Sequence, residues 1–206
     1  MSSVSETPEI RENSALVVVD MLYDFIDGSM ACLGAKEAVR QAASFIDKVT
    51  VSAETAGEND IYGQYPILFV CDHHPAGHCS FQGSGGQWPD HCVEGTRGSA
   101  VHEMLAPYMS EEFVFYKGCD KDKEQYSGYE GLNKAGQSVG EILDILDIDT
   151  VYLCGIATEF CVKATAMDLK SAGKEVILLK DALAYVSEEG HGKALTEMKK
   201  SGILMF

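Results

Sequence analysis

Strand-like and helix-like segments alternate along this chain, and the alternation predicts a three-layer α/β/α fold with a mostly parallel sheet of about six strands. The strand-like segments are short apolar runs, which is typical of strands covered by helices on both faces. Right-handed crossovers through the intervening helices place such strands parallel to one another. At 206 residues, with no linker-like stretch, the chain is predicted to form a single domain over residues 1–206.

Six segments have the composition of buried strands. They are rich in β-branched, leucine and aromatic residues and are too short for helices. These segments are residues 15–19, 66–71, 113–116, 150–154, 175–179 and 203–206. Between them, apolar residues recur at intervals of three and four positions, which predicts amphipathic helices. The predicted helices cover residues 35–49, 138–146, 160–172 and 188–200.

The net charge of −16 at pH 7 limits the partners of this protein. Nucleic acids and anionic membranes would repel it, so neither is predicted as a partner. The seven cysteines include no Cys-x-x-Cys pair, and the polar N-terminus has no apolar run long enough for a signal or membrane-spanning segment. We therefore expect reduced thiols, a cytoplasmic location and a small-molecule substrate, with a homo-oligomer as a plausible assembly.

Polar residues follow the ends of four predicted strands. Asp20 follows the first strand, Asp72 and His74 follow the second, and Lys117 follows the third. The fourth strand is followed by residues 155–161, which end at a cysteine. Ligands of parallel α/β sheets bind beyond the carboxyl ends of the strands. We therefore expect these residues to converge on one site.

Cys161 lies where the fourth strand is expected to turn into a helix, with Thr158 as the predicted N-cap. The positive end of a helix favours a thiolate, and the amides of Ala157 and Cys161 are expected to form an oxyanion hole. A cysteine at a helix start is more often structural than catalytic. Here Asp20 is placed to accept the thiol proton and Lys117 to stabilise the anion, which favours a nucleophile.

A loop over residues 72–97 is rich in Gly, His and Pro and has little periodicity, which is typical of a functional loop. Asp72, His74 and His91 offer one carboxylate and two imidazoles, a ligand set that leaves coordination positions open. His78 is a fourth candidate, expected to support the ligands or the substrate by hydrogen bonding. The predicted cofactor is one divalent metal ion, zinc first, with iron or manganese as alternatives.

Trp88, the only tryptophan of the chain, lies in this polar loop beside the expected ligand His91. Aromatic residues usually belong to the core. The polar surroundings of Trp88 favour a role in lining a pocket instead. Phe25 and Tyr126 are expected to complete an aromatic slot with it.

These motifs, taken in order, resemble the nicotinamidase/pyrazinamidase branch of the isochorismatase-like cysteine hydrolases. The resemblance runs from about residue 15 to residue 183. The ordered set is highly specific, although each fragment alone would be weak. Its pieces are Val18-Val19-Asp20 with Asp24-Phe25, Asp72-x-His74-Pro75 with His78-x-Ser80-Phe81, Trp88-Pro89-x-His91-Cys92, Tyr116-Lys117-Gly118, Tyr126-Ser127-Gly128-Tyr129 and Gly155-Ile156-Ala157-Thr158-x-x-Cys161-Val162.

The resemblance implies conversion of nicotinamide to nicotinate and ammonia in NAD salvage, through a thioester on Cys161. It implies that the metal binds the ring nitrogen of the substrate and orients the ring. A cis peptide bond in the neighbourhood of Ile156-Ala157 is implied as well. The implied residues are the catalytic triad Asp20, Lys117 and Cys161, the metal ligands Asp72, His74 and His91, and the substrate pocket Phe25, Trp88, Tyr126 and Ile156.

The sequence departs from the family pattern at residues 22–23, where Leu-Tyr replaces the usual Gln-Asn, and at His73 and Glu159. Nicotinamide and pyrazinamide-like carboxamides therefore both stay open as substrates. One alternative is a cysteine amidase for carbamoyl or ureido substrates, which usually lacks the metal residues. Another alternative is a non-catalytic metal-binding or metal-sensing module, which the open ligand set disfavours.

Overall fold

A six-stranded sheet forms the middle layer of the fold. The computed structural model describes residues 11–55 and 65–206, without the side chains of residues 51–55. The strands are β1 (Ser14–Val19), β2 (Ile67–Asp72), β3 (Val114–Lys117), β4 (Thr150–Gly155), β5 (Glu175–Leu183) and β6 (Leu204–Met205). Their order is β3-β2-β1-β4-β5-β6, and each pairing between neighbours is parallel. The predicted fold class is confirmed.

Helices cover both faces of this sheet. They are α1 (Tyr23–Ile26), α2 (Ala35–Thr55), α3 (Val139–Ile145), α4 (Lys163–Ser171) and α5 (Glu188–Lys200). Alternate side chains of β1 point to opposite faces. Leu16 and Val18 pack into one hydrophobic cluster with α1 and α2, whereas Val17 and Val19 pack into a second cluster with α3, α4 and α5. The sheet therefore separates two apolar layers.

Several predicted boundaries differ from the observed ones. The strand predicted over residues 175–179 extends to Leu183, and the helix predicted over residues 35–49 extends to Thr55. The last strand is short and covers only Leu204–Met205. Within the described ranges, no helix is both long enough and apolar enough to cross a bilayer.

Two residues beyond strand ends adopt the left-handed backbone region, which non-glycine residues rarely occupy. Asp20 follows β1 with φ 51°, and Cys92 follows His91 with φ 48°. Asp20 is tied to the neighbouring strand, because its amide donates a hydrogen bond of 2.8 Å to the carbonyl oxygen of Val70. Such strain persists where the surrounding structure imposes it, and here it accompanies the side chains that gather at the carboxyl edge of the sheet.

Candidate active site

The ends of β1 and β3 bring Asp20 and Lys117 to the thiol of Cys161. The Lys117 ammonium nitrogen lies 2.8 Å from Asp20 Oδ2 and 3.3 Å from Cys161 Sγ. Asp20 Oδ1 accepts a hydrogen bond of 2.7 Å from the amide of Asp72, which holds the carboxylate against β2. All these side chains are buried. The structure thus brings a nucleophile, a proton acceptor and a cation into contact.

Burial determines the protonation of this cluster. It raises the pKa of Asp20 to about 6; the Asp72 carboxylate adds to this rise and Lys117 opposes it. Burial also raises the pKa of the Cys161 thiol well above its usual value; Lys117 opposes this rise and the two carboxylates reinforce it. The expectation of a thiolate favoured by the helix end is therefore wrong. Cys161 is a protonated thiol beside a carboxylate with an elevated proton affinity.

The turn that carries Cys161 also differs from the prediction. Residues Thr158–Val162 form a π-helical turn that leads into α4, and its N-cap is Ala157. Thr158 does not cap the helix, because its hydroxyl donates a 2.9 Å hydrogen bond to the carbonyl oxygen of Ala184. That carbonyl follows β5, 26 positions along the chain, so no local pattern could reveal it.

The predicted metal ligands Asp72, His74 and His91 lie together. One ligand atom of each lies within 4.8 Å of the other two, and all three side chains are buried. The two oxygens of Asp72 face different groups: Oδ1 lies 2.5 Å from the Lys117 ammonium nitrogen, and Oδ2 lies 3.6 Å from His74 Nε2. Lys117 and His74 outweigh the effect of burial and hold the pKa of Asp72 below its usual range.

Backbone carbonyls fix which ring nitrogens can bind a metal. His74 Nδ1 lies 2.9 Å from the carbonyl oxygen of Gly118, and His91 Nδ1 lies 2.7 Å from that of Pro89. A carbonyl only accepts, so each Nδ1 carries the proton and each Nε2 has a free lone pair. Burial lowers the pKa of His91, which favours its neutral form. This donor set fits a divalent metal ion.

Gly118 allows the close packing of His74. Its φ is +65°, and a Cβ there would lie 2.4 Å from the ring of His74. Its amide donates a 3.0 Å hydrogen bond to Gln125 Oε1, while its carbonyl holds the His74 ring. The residue after Lys117 therefore orients a metal ligand directly.

His78 supports the ligands instead of joining them. Its Nδ1 lies 2.7 Å from Ser80 Oγ, and its Nε2 lies 3.2 Å from the carbonyl oxygen of Lys123. Its ring packs against His74 with 4.2 Å between the ring centroids. Both ring nitrogens of this buried histidine are thus engaged by protein groups, as its expected supporting role requires.

A cavity of about 350 Å³ joins the thiol to the metal ligands. Phe25, Trp88 and Tyr126 line it as expected, with Trp88 Nε1 donating a 3.2 Å hydrogen bond to the Tyr126 hydroxyl. Ile156 does not fit its expected place at the substrate, because its side chain is fully buried in the core. The peptide bond between Ile156 and Ala157 is cis, as the resemblance implies. The oxyanion hole at Ala157 and Cys161 stays a prediction.

The cavity has further lining residues that the sequence analysis missed. Phe160 meets the ring of Trp88 edge to face, with 5.0 Å between the centroids at an interplanar angle of 89°. Its position next to Cys161, on the same turn, was the available signal. No comparable sequence pattern marks the others, which are Met30, Glu124 and Gln125.

Comparisons with known proteins point in the same direction. The sequence matches the isochorismatase domain family over residues 14–205. It is 32% identical over 190 residues to the nicotinamidase/pyrazinamidase of Mycobacterium tuberculosis, an alignment that covers 92% of this chain and 96% of that protein. Both proteins are thus matched over nearly their full lengths.

Solved structures resemble this fold over most of the chain. The pyrazinamidase of Pyrococcus horikoshii in complex with zinc superposes with a TM-score of 0.77 at 34% identity, covering 94% of this chain and 98% of that one. PnC1 from L. infantum in complex with nicotinate superposes with a TM-score of 0.73 at 28% identity, covering 94% and 92%. One of these relatives holds zinc and the other an aromatic carboxylate.

Proposed function

The chain belongs to the isochorismatase domain family, and from this premise we propose that it is a metal-dependent nicotinamidase that converts nicotinamide to nicotinate and ammonia. The observation that carries this proposal is the contact of Lys117 with both parts of the site. Its ammonium group lies 3.3 Å from the thiol of Cys161 and 2.5 Å from Asp72 Oδ1. A nucleophile and a set of metal ligands that share one cation fit a carboxamide on a nitrogen-containing ring.

The side chains of the triad account for the reaction in two halves. Asp20 takes the proton of the Cys161 thiol as the sulfur attacks the carboxamide carbon. The amides at Ala157 and Cys161 stabilise the oxyanion, and Asp20 returns the proton to the departing nitrogen, so that ammonia leaves. In the second half, Asp20 takes a proton from water, the water oxygen attacks the thioester carbon, and the sulfur leaves as the Cys161 thiol. Lys117 keeps the charge of this buried cluster balanced throughout.

The metal site explains the choice of substrate. When bound at Asp72, His74 and His91, a divalent ion supplies a Lewis acid for the ring nitrogen of the substrate. We propose zinc, because one carboxylate and two imidazoles suit it and the Pyrococcus horikoshii relative holds zinc. The aromatic slot of Phe25 and Trp88 then takes the ring of nicotinamide or pyrazinamide. A homo-oligomeric state and a cytoplasmic location stay predictions.

Ammonia release tests this function. Purified protein is given nicotinamide or pyrazinamide before chelation, after chelation, and after add-back of zinc, manganese or iron. We expect chelation to stop ammonia release and zinc to restore it. No release from either carboxamide by zinc-loaded protein would refute the proposal, and release from a ureido substrate in its place would favour the amidase alternative.

A further inference from the structure

One buried hydroxyl links the turn that carries Cys161 to the loop that carries Tyr126. Thr165, in α4, has no exposed surface. Its Oγ1 donates a 2.7 Å hydrogen bond to the carbonyl oxygen of Cys161 and accepts a 2.8 Å hydrogen bond from the amide of Gly128. We propose that Thr165 is a positioning residue that sets the nucleophile against the tyrosine wall of the pocket. The catalytic side of this proposal rests on the proposed function.

The second hydrogen bond distinguishes Thr165 from other threonines in helices. A helical threonine commonly donates to the carbonyl four residues earlier, as Thr196 does to Gly192 at 2.9 Å on the exposed side of α5. Thr165 also accepts from an amide of a separate loop, 37 positions away. Because the Gly128 amide can only donate, the single hydroxyl proton of Thr165 must go to Cys161. The direction of both hydrogen bonds is thus fixed.

The loop end of this link is rigid. A Cβ on Gly128 would lie 2.5 Å from a methyl carbon of Val70, so the backbone of Gly128 packs directly against β2. Two residues earlier, the Tyr126 hydroxyl accepts hydrogen bonds of 3.2 Å from both Trp88 Nε1 and Gln87 Nε2. A fixed point at Gly128 therefore holds Tyr126 and, through it, the indole that lines the cavity.

The nucleophile is consequently held from two directions. Lys117 contacts the sulfur of Cys161, and Thr165 holds the carbonyl of the same residue. Misplacing a reacting atom by about 1 Å costs on the order of a hundredfold in rate. Removing the hydroxyl of Thr165 leaves the Gly128 amide buried without its acceptor, so the loop and the turn are expected to shift relative to each other.

Three variants test the role of the hydroxyl. Thr165→Val keeps the shape and removes both hydrogen bonds, Thr165→Ser keeps the hydroxyl, and Thr196→Val removes a single exposed hydrogen bond as the matched control. We expect kcat for nicotinamide to fall by about tenfold or more in Thr165→Val, with a smaller rise in KM. Thr165→Ser should restore kcat to within about threefold of wild type, and Thr196→Val should leave it unchanged.

A second assay needs no substrate. The rate of Cys161 alkylation by iodoacetamide is measured by peptide mass spectrometry, with the exposed Cys119 as an internal reference. Thr165→Val should slow Cys161 alkylation relative to Cys119, because the thiol is less well aligned with Lys117. If the proposed function is wrong, no protein will release ammonia from nicotinamide, but the alkylation difference will persist.

Equal kcat and equal alkylation rates in Thr165→Val and Thr196→Val would overturn the proposal. If Thr165→Val does not fold, Thr165→Ala takes its place, because it removes the hydroxyl without adding volume. Failure of both variants to fold, with a folded and active Thr165→Ser, would assign the hydroxyl to folding and would also overturn the proposal.

Discussion

Lys117 is a buried ammonium group whose neighbours justify its position. A cation removed from water is costly unless anions surround it at hydrogen-bonding distance. Burial would lower the pKa of Lys117, but Asp20, Asp72 and Cys161 raise it well above the usual value for lysine. The residue is therefore permanently charged. It neutralises two carboxylates that would otherwise repel each other, which lets one serve as the base and the other as a metal ligand.

The thiol of Cys161 is expected to be essential for turnover. Cys161→Ala should lower ammonia release from nicotinamide by about three orders of magnitude or more, because no other group can form the thioester. Metal content and the unfolding transition should change little. The control is Cys119→Ala, which removes an exposed thiol outside the cavity lining and should retain activity. Near-normal turnover by Cys161→Ala would contradict its assignment as the nucleophile.

The neighbouring residues His73 and His74 offer a matched pair for the metal site. His74 is buried among the ligands, whereas the side chain of His73 is 28% exposed and faces Glu94. His74→Ala should bind well under one metal ion per chain and show a severely raised KM for nicotinamide. His73→Ala should keep the wild-type metal content. Elemental analysis of purified proteins after dialysis makes the comparison, and equal metal content in both variants would exclude His74 as a ligand.

At the scale of elements, the end of β3 supplies both parts of the site. Lys117 is the last residue of β3, and Gly118 holds the ring of the metal ligand His74. Gly118→Ala would place a methyl group against that ring, so we expect metal affinity to fall by about tenfold or more. Competition with a chelator of known affinity measures the change.

The control for Gly118→Ala is Gly136→Ala. Gly136 has a φ of +79°, but a Cβ there would contact nothing within 4 Å. The control therefore carries the same kind of backbone strain without touching the site. Equal metal affinities of the two variants would show that the contact with His74 does not matter.

The elements differ in how far their own sequence determines them. The apolar run of β1 and the periodic helix α5 were recognisable, because local composition and burial agree there. The π-helical turn around Cys161 was not, because the partner of Thr158 lies beyond β5. For the same reason, the core position of Ile156 and the pocket position of Phe160 followed only from the assembled sheet.

The convergence of the site itself was predictable from strand ends. Asp20, Asp72 and Lys117 were each placed by the rule that parallel strands share one functional edge. The rule gives proximity but not protonation. The raised pKa of Cys161 depends on how completely the surrounding residues exclude water, which no linear pattern encodes.

At the scale of the whole molecule, the two apolar layers are expected to respond independently. Ile46 of α2 and Leu169 of α4 are both fully buried, on opposite faces of the sheet. Ile46→Ala and Leu169→Ala should each lower the free energy of unfolding by about 2–5 kcal/mol. Because the two sites share no packing partners, the double variant should show the sum to within about 0.5 kcal/mol. Chemical denaturation measures all three, and a clearly non-additive double variant would show that the layers communicate.

The division into two layers also runs through the active site. Phe25 and Cys92, beside the metal ligand His91, pack into the layer of α1 and α2, while Cys161 packs into the layer of α3, α4 and α5. Recognition of the substrate ring and attack on its amide thus have separate foundations, which meet only along the rim of the sheet. A lineage of such enzymes can drift in one foundation, and so in the ring it accepts, while the bond-breaking apparatus on the other side stays intact.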